Sequence, residues 1–370
     1  MKKTLLALAA LSTIAGTAAA QSSITMYGIA DVGVVRESGN PAGPVTKVTS
    51  GVSAGSRLGF RGTEDLGGGL AAIFTLETGI SMDTGGSAQL ASSANPTGVL
   101  FARQTFVGLK GNLGTVTLGR QYNPYFYTVY AIDPFGTGHV GNSGNIMAFT
   151  GSNGRSNNSI MYASPTVAGF KGELLYAFGE TVGSTRSGSV INGAISYTNG
   201  PLLVRLAANQ TNNDTLTASN PKTKNVILGT VYDFKVAKVS AGYATLKGPT
   251  PPAFYVQEAL GFYNATPYRA VKNNPTTLDM RDFLIGATIP VGPGNILASY
   301  INRKDRTATR QNATEAAIGY EYNLSKRTVW YNVYSRIRNE NNAGYTVGNS
   351  GDPTGGSGDK AFATGIRHTF

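Results

Sequence analysis

The arginines and acids of this chain are spaced to shape an electric field in water, not to make or break covalent bonds. In Ser56-Arg57-Leu58-Gly59-Phe60-Arg61-Gly62, Arg57 and Arg61 share one face of an alternating segment, and Leu58 and Phe60 share the other. In LAAIFTLETGI, Glu77 and Thr75 oppose Ala72, Phe74 and Leu76. In ITMYGIADVGVV, Asp31 joins Thr25 and Tyr27 opposite Ile24, Met26, Ala30, Val32 and Val34. Arg155 opens the segment Arg155-Ser156-Asn157-Asn158-Ser159-Ile160, where alternation groups it with Asn157 and Ser159. Asp133 is the one formal charge in the stretch from Tyr122 to Gly154. Opposed fixed charges across a narrow water-filled gap orient dipolar solutes and let a charged solute slide along one wall.

Covalent and metal chemistry find little support. Beyond residue 20 the chain has two histidines, His139 and His368, and no cysteine. No Ser–His–Asp order with a nucleophile elbow is present, and no Cys or His cluster has zinc-ligand spacing. The expectation is a protein without catalytic residues, metal or cofactor.

These side chains need elements to hold them, and those elements read as short strands. Segments of period two recur, separated by seven short turns and eight long connections, so the chain is expected to have sixteen strands. The short turns fall at Glu64–Gly69 and near Lys110–Gly114, Pro165–Gly169, Asn199–Pro201, Phe234–Val236, Pro290–Gly294 and Asn323–Lys326. The long connections fall near 37–52, 83–98, 122–154, 180–188, 212–221, 247–277, 304–311 and 340–359. A soluble sandwich would also alternate. A membrane barrel accounts for more. Its tilted strands need about 9–11 residues, its short turns alternate strictly with long loops, and its aromatic residues, such as Tyr320 and Tyr322, sit at strand ends. Sixteen strands enclose a lumen too wide for side chains to fill. The connection 122–154 carries seven aromatic residues in 33, which need somewhere to pack, so it is expected to fold into the lumen with Asp133 toward a wall of arginines.

Composition agrees. Lys2 and Lys3, the apolar run Thr4–Ala15 and Ala18-Ala19-Ala20 read as a cleavable export signal over residues 1–20, leaving 21–370 as a single transmembrane barrel domain. Removing it leaves 29 basic against 20 acidic side chains, a net charge of +9. The bases are dispersed, which argues for a basic channel wall and against nucleic acid as a partner. An exported chain without cysteine must draw its stability from something other than disulfides, and a closed barrel supplies it by satisfying every backbone amide. In the last segment, AFATGIRHTF, Phe362, Ile366, His368 and Phe370 share a face expected to point outward, and pairing with the first strand would close the cylinder.

The stretches SITMYGIADVGV, SRLGFRGTEDLGGGLAAIFTLE, RQTFVGLKGNLGTVTLGRQYNP, DPFGTG and the closing GIRHTF together resemble the trimeric general porins of Gram-negative outer membranes, in particular the betaproteobacterial branch. The resemblance covers the first third densely and continues to the end through strand spacing. It implies a 16-stranded antiparallel transmembrane β-barrel, a homotrimer in outer-membrane lipid and lipopolysaccharide, and a third extracellular loop folded inward as a constriction. In that family wall arginines face loop acids. Arg57 in SRLGF and Arg103 in FARQTF match this motif, Arg155 is the candidate third arginine, and Asp133 beside Pro134-Phe135-Gly136 is the loop acid. Arg57, Arg61, Arg103 and Arg155 against Asp133, with Glu77 and Asp31 nearby, leave the wall net positive. The implied activity is passive diffusion of small hydrophilic solutes with a moderate preference for anionic ones and little chemical specificity.

Two further expectations concern the outside. Arg120 alternates with Val116 and Leu118 and so faces outward, as Gln104 is also expected to do; a lipid-facing arginine costs about 2–4 kcal/mol at mid-bilayer. Burial against a neighbouring subunit would remove that cost, which marks Arg120 and Gln104 as candidate subunit contacts, with loop 83–98 as a latch. The alternative to a transport role is an adhesin or receptor acting through the loops at 247–277 and 340–359.

Overall fold

In a computed structural model of the chain, the described residues are 23–87, 100–147, 154–249, 277–348 and 358–370. The segment 1–20, expected to be an export signal, lies outside them, as do much of loop 83–98, most of 247–277 and part of 340–359.

The described strands form one antiparallel sheet that closes on itself. Its first strand, β1 (Ser23–Ser38), pairs with its last, β17 (Lys360–Thr369), from Ile29↔Thr369 to Ser38↔Lys360. Seventeen strand segments make sixteen staves, because β2 (Val45–Ser50) and β3 (Arg57–Gly67) are two halves of one. The upper half of β1 pairs with β2 through Val32↔Ser50, and the lower half with β3 through Ile29↔Arg57. The region 37–52, expected to be a long connection, is therefore half wall, with 37–38 and 45–50 in strands. The interruption, residues 51–56, leaves the sheet and enters the lumen.

The exterior is apolar, unlike that of a soluble protein. Large apolar side chains such as Met26, Val107, Leu118, Ile195, Leu228, Phe283, Ile318 and Phe362 stand exposed on the outside, while Asp31, Glu77, Asn192, Asp282 and Glu315 are buried inside. Alternation sorts each strand between hydrocarbon and lumen, so the hydrophobic effect holds the apolar set against lipid. Aromatic pairs mark the short-turn rim: Phe170–Tyr197 at 4.6 Å, Tyr232–Phe234 at 4.5 Å and Tyr320–Tyr322 at 6.4 Å between centroids. Such rings suit an interface where one end is apolar and the other wet.

Within the lumen, charged groups tie strands together. Arg303 of β14 (Gly294–Asp305) grips Asp282 of β13 (Thr277–Val291) with two bonds, Nε–Oδ1 at 2.7 Å and Nη2–Oδ2 at 2.6 Å. Tyr331 of β16 (Thr328–Asn339) donates its hydroxyl to Asp31 Oδ1 at 2.7 Å, spanning the seam where the barrel closes. Tyr331→Phe should cost about 1–3 kcal/mol by leaving that carboxylate short of a donor. Urea-induced unfolding of the detergent-solubilised protein measures it, and an unchanged midpoint would remove Asp31 from the account of the seam.

Candidate functional site

The segment after β6 (Gly114–Tyr122) begins Asn123-Pro124, and those two residues start a helix, α1 (Pro124–Ile132). Asn123 caps it by accepting the Phe126 amide at 2.9 Å, and proline occupies the first turn, where no amide bond is lost. Within the connection 122–154, the described residues 123–147 are a helix followed by a tight return.

Asp133 makes the return. Its Oδ1 accepts the Phe135 amide at 2.9 Å, and its Oδ2 accepts the amides of Thr137 at 3.1 Å and Ser143 at 2.8 Å. Burial holds this carboxyl above the usual carboxylate range, against the pull of those three donors. The expectation that Asp133 faces the arginines is therefore corrected: the acid is spent on its own backbone, because a buried carboxylate at a helix C-terminus needs several amide donors to offset its desolvation.

Glycines in the wall receive the helix. Gly229 and Gly242 are cross-strand partners on β11 (Thr223–Asp233) and β12 (Lys238–Pro249), and any side chain at either would overlap Ile132. Gly286 does the same for Pro134. Further along, Asn145 Nδ2 donates to Glu315 Oε1 at 2.7 Å, an oxygen that also accepts the Ser335 hydroxyl at 2.8 Å.

Residues 51–56 are the second intrusion, which the sequence reading missed. Asp31 Oδ2 accepts the amides of Ser53 at 2.9 Å and Ala54 at 2.7 Å, and the Asp31 amide donates to Ser56 Oγ at 3.0 Å. Asp31 is 0% exposed, so it anchors this inset and offers no charge to the passage. The inset in turn takes the His139 amide on Val52 O at 2.5 Å, joining the two intrusions.

Between them and the wall lies a cavity of about 570 Å³. Its charged lining is Arg57, Arg103 and Arg367 against Glu321, with Tyr127, Tyr130, Pro134 and Phe135 on the helix side. Burial pushes the Tyr127 phenol up, so it stays a neutral hydroxyl. Behind this lining, Glu77 accepts Arg103 Nε at 2.8 Å and the Tyr27 hydroxyl at 3.1 Å, with Arg57 Nη1 at 3.8 Å. Arg367 Nη1 donates to Ser53 Oγ at 2.6 Å and lies 3.3 Å from Glu321, which also meets His139 Nε2 at 3.2 Å. Arg367 was missed although the alternation that turns Ile366 and His368 outward turns it inward.

The other expected positions fall as follows. Arg61 lies nearer the short turn, exposed and over the Tyr27 ring at 5.3 Å, outside the cavity. Arg155, 2% exposed, sits behind Tyr122, over its ring at 4.1 Å and donating to its hydroxyl. A bulge causes this. Between Gly119↔Ser159 and Gln121↔Ser156, two steps on β6 oppose three on β7 (Arg155–Ala163), so the extra residue lies at Asn157–Asn158, where Asn158 has φ of +50°. As a result Asn157, expected beside Arg155 on the inner face, meets Arg120 instead. Arg120 keeps step with the exposed Val116 and Leu118, and its Nε donates to Ala102 O at 2.5 Å. Gln104 is corrected from outside to inside. It pairs with inward Glu77 and lines the cavity, because Val107 and Leu109, both exposed, set the outer phase of β5 (Gln104–Gly111).

A closed barrel with an apolar exterior, an inward-folded helical loop and a charged aqueous constriction defines a diffusion channel of the outer membrane. A sequence profile described as Gram-negative porin matches residues 7–342, and the chain belongs to that family. It is 33% identical to outer membrane porin protein 32 of Delftia acidovorans over 100% of both chains. It is 32% identical to an outer membrane porin protein of Bordetella pertussis, over 92% of this chain and 95% of that one. Among solved structures, an anion-selective porin from Comamonas acidovorans is 29% identical with a TM-score of 0.74, over 95% of this chain and 100% of the other. OmpT of Vibrio cholerae, in its trimer form, shares the fold with a TM-score of 0.63 at 16% identity, over 94% of this chain and 99% of the other. The chain is thus an outer-membrane porin, a water-filled path for passive diffusion of small hydrophilic solutes.

Proposed function

We propose that this porin passes anions in preference to cations, and that Arg57, Arg103 and Arg367 are the side chains responsible. The observation that carries this reading is the lining itself: three guanidinium groups and one carboxylate, Glu321, border the cavity. Glu77 partly neutralises Arg57 and Arg103 from behind, and Arg155 adds positive charge behind Tyr122. The acids expected to oppose them, Asp133 and Asp31, are occupied by backbone amides, so the balance at the water is more positive than a formal count implies. Similarity to a structure named as an anion-selective porin supports the same sign. Low-dielectric walls focus the resulting potential, while loose, multi-site contacts let ions leave.

The working unit in this reading is a homotrimer, with Arg120 at the subunit contact and residues 1–20 removed on export. Catalysis has no part in it.

The test is the zero-current potential of purified protein in planar bilayers under a potassium chloride gradient. It should take the sign of the chloride equilibrium potential and grow as ionic strength falls, because the Debye length lengthens from about 3 Å at 1 M to about 30 Å at 0.01 M. A potential of the potassium sign at low salt would overturn the proposal.

A further inference from the structure

Three aromatic rings at four-residue spacing, Tyr122, Phe126 and Tyr130, form a stack along one side of α1. Tyr122 and Phe126 lie 4.3 Å apart at 15°, and Phe126 and Tyr130 lie 6.1 Å apart at 29°. One end is closed by the Arg155 guanidinium, 4.1 Å from the Tyr122 centroid. The other end is open. Tyr122 and Phe126 are buried, whereas Tyr130 is 53% exposed and borders the same cavity as Arg57 and Arg103. An exposed ring on a rigid helix, with guanidinium groups across a water-filled gap, is the arrangement that holds a flat ring by its face and a carboxylate by its charge.

We propose that the constriction favours monocyclic aromatic carboxylates over saturated anions of the same charge and size. Such a solute extends the stack beyond Tyr130 and turns its carboxylate to Arg57 and Arg103. The inference rests on the anion preference proposed above and adds the class of anion. Aromatic pairing beyond simple burial is weak, corresponding to a preference of about two- to tenfold. A contact of that strength draws a solute into the gap without trapping it, as conduction requires.

The experiment compares benzoate with cyclohexanecarboxylate, which has a similar carbon skeleton and the same charge but no π face. Permeability ratios come from bi-ionic zero-current potentials of the full-length, reconstituted porin, with each sodium salt set against chloride. Wild type should pass benzoate about two- to tenfold better. Tyr130→Phe should keep that ratio, and Tyr130→Leu should bring it to about one by removing the π face. A wild-type ratio of one overturns the proposal. So does a benzoate preference that survives in Tyr130→Leu, since its source would then lie elsewhere. The chloride-over-potassium potential of wild type, read in the same bilayers, separates failure of this inference from failure of the anion preference beneath it.

Discussion

Replacing Arg57 and Arg103 together by serine should reduce the chloride-to-potassium permeability ratio roughly tenfold at low salt, a change equivalent to removing a potential of a few kT from the constriction. The sign of selectivity should then pass to cations. The cavity would be left with Arg367 against Glu321, close to neutral. Glu77, which now holds Arg103 Nε at 2.8 Å, would lose both of its arginine neighbours and present its charge toward the water. Adding Glu77→Gln to the double variant should therefore bring the potential back toward zero. An unchanged zero-current potential in the double variant would place the selectivity elsewhere on the wall. At molar salt the difference between variants should shrink, since screening then acts within a single side-chain length.

Gly242→Leu should lift α1 off its seat and obstruct the lumen. A side chain at Gly242 overlaps Ile132, and the glycine directly opposite, Gly229, leaves no neighbouring slack. Overpacking of this kind costs about 1–3 kcal/mol. Here the strands are fixed by a closed ladder of hydrogen bonds, so the helix is the part that moves, toward Arg57 and Arg103. Single-channel conductance should fall, and Ile132→Ala in the same background should restore most of it by vacating the contested space. A variant with wild-type conductance would mean that α1 docks through Pro134 and the Asn145–Glu315 contact alone.

The parts of this architecture legible in the sequence are those that local periodicity encodes. The staves, the succession of short turns and longer connections apart from 37–52, and the closing strand with Phe362 and Ile366 outward all follow from alternation. Arg57 stood out for the same reason, and Arg103 through a motif. Where the reading departs from the structure, contacts distant in sequence decide. Residues 51–56 enter the lumen because Asp31, more than twenty positions earlier, collects their amides. Arg155 turns behind Tyr122 because one extra residue at Asn157–Asn158 breaks the alternation of β7 before Ser159. Asp133 looked like a charge offered to the lumen, yet the amides of Phe135, Thr137 and Ser143 claim it. Two missed features did leave local traces. Asn123-Pro124 is a helix-start signal, and Arg367 sits on the inward phase of a strand whose outward phase was already assigned.

Alternation also governs how such a protein travels. Because the described staves interleave polar and small residues with apolar ones, none of them has the unbroken greasy run of about 18 residues that would lodge it as a helix in the first bilayer it meets. The extended chain is mild in character throughout, and its oily coat comes into being only when neighbouring staves are zipped and their side chains sorted. A polypeptide of this design can pass through one membrane as a thread and take up residence in the next as a cylinder.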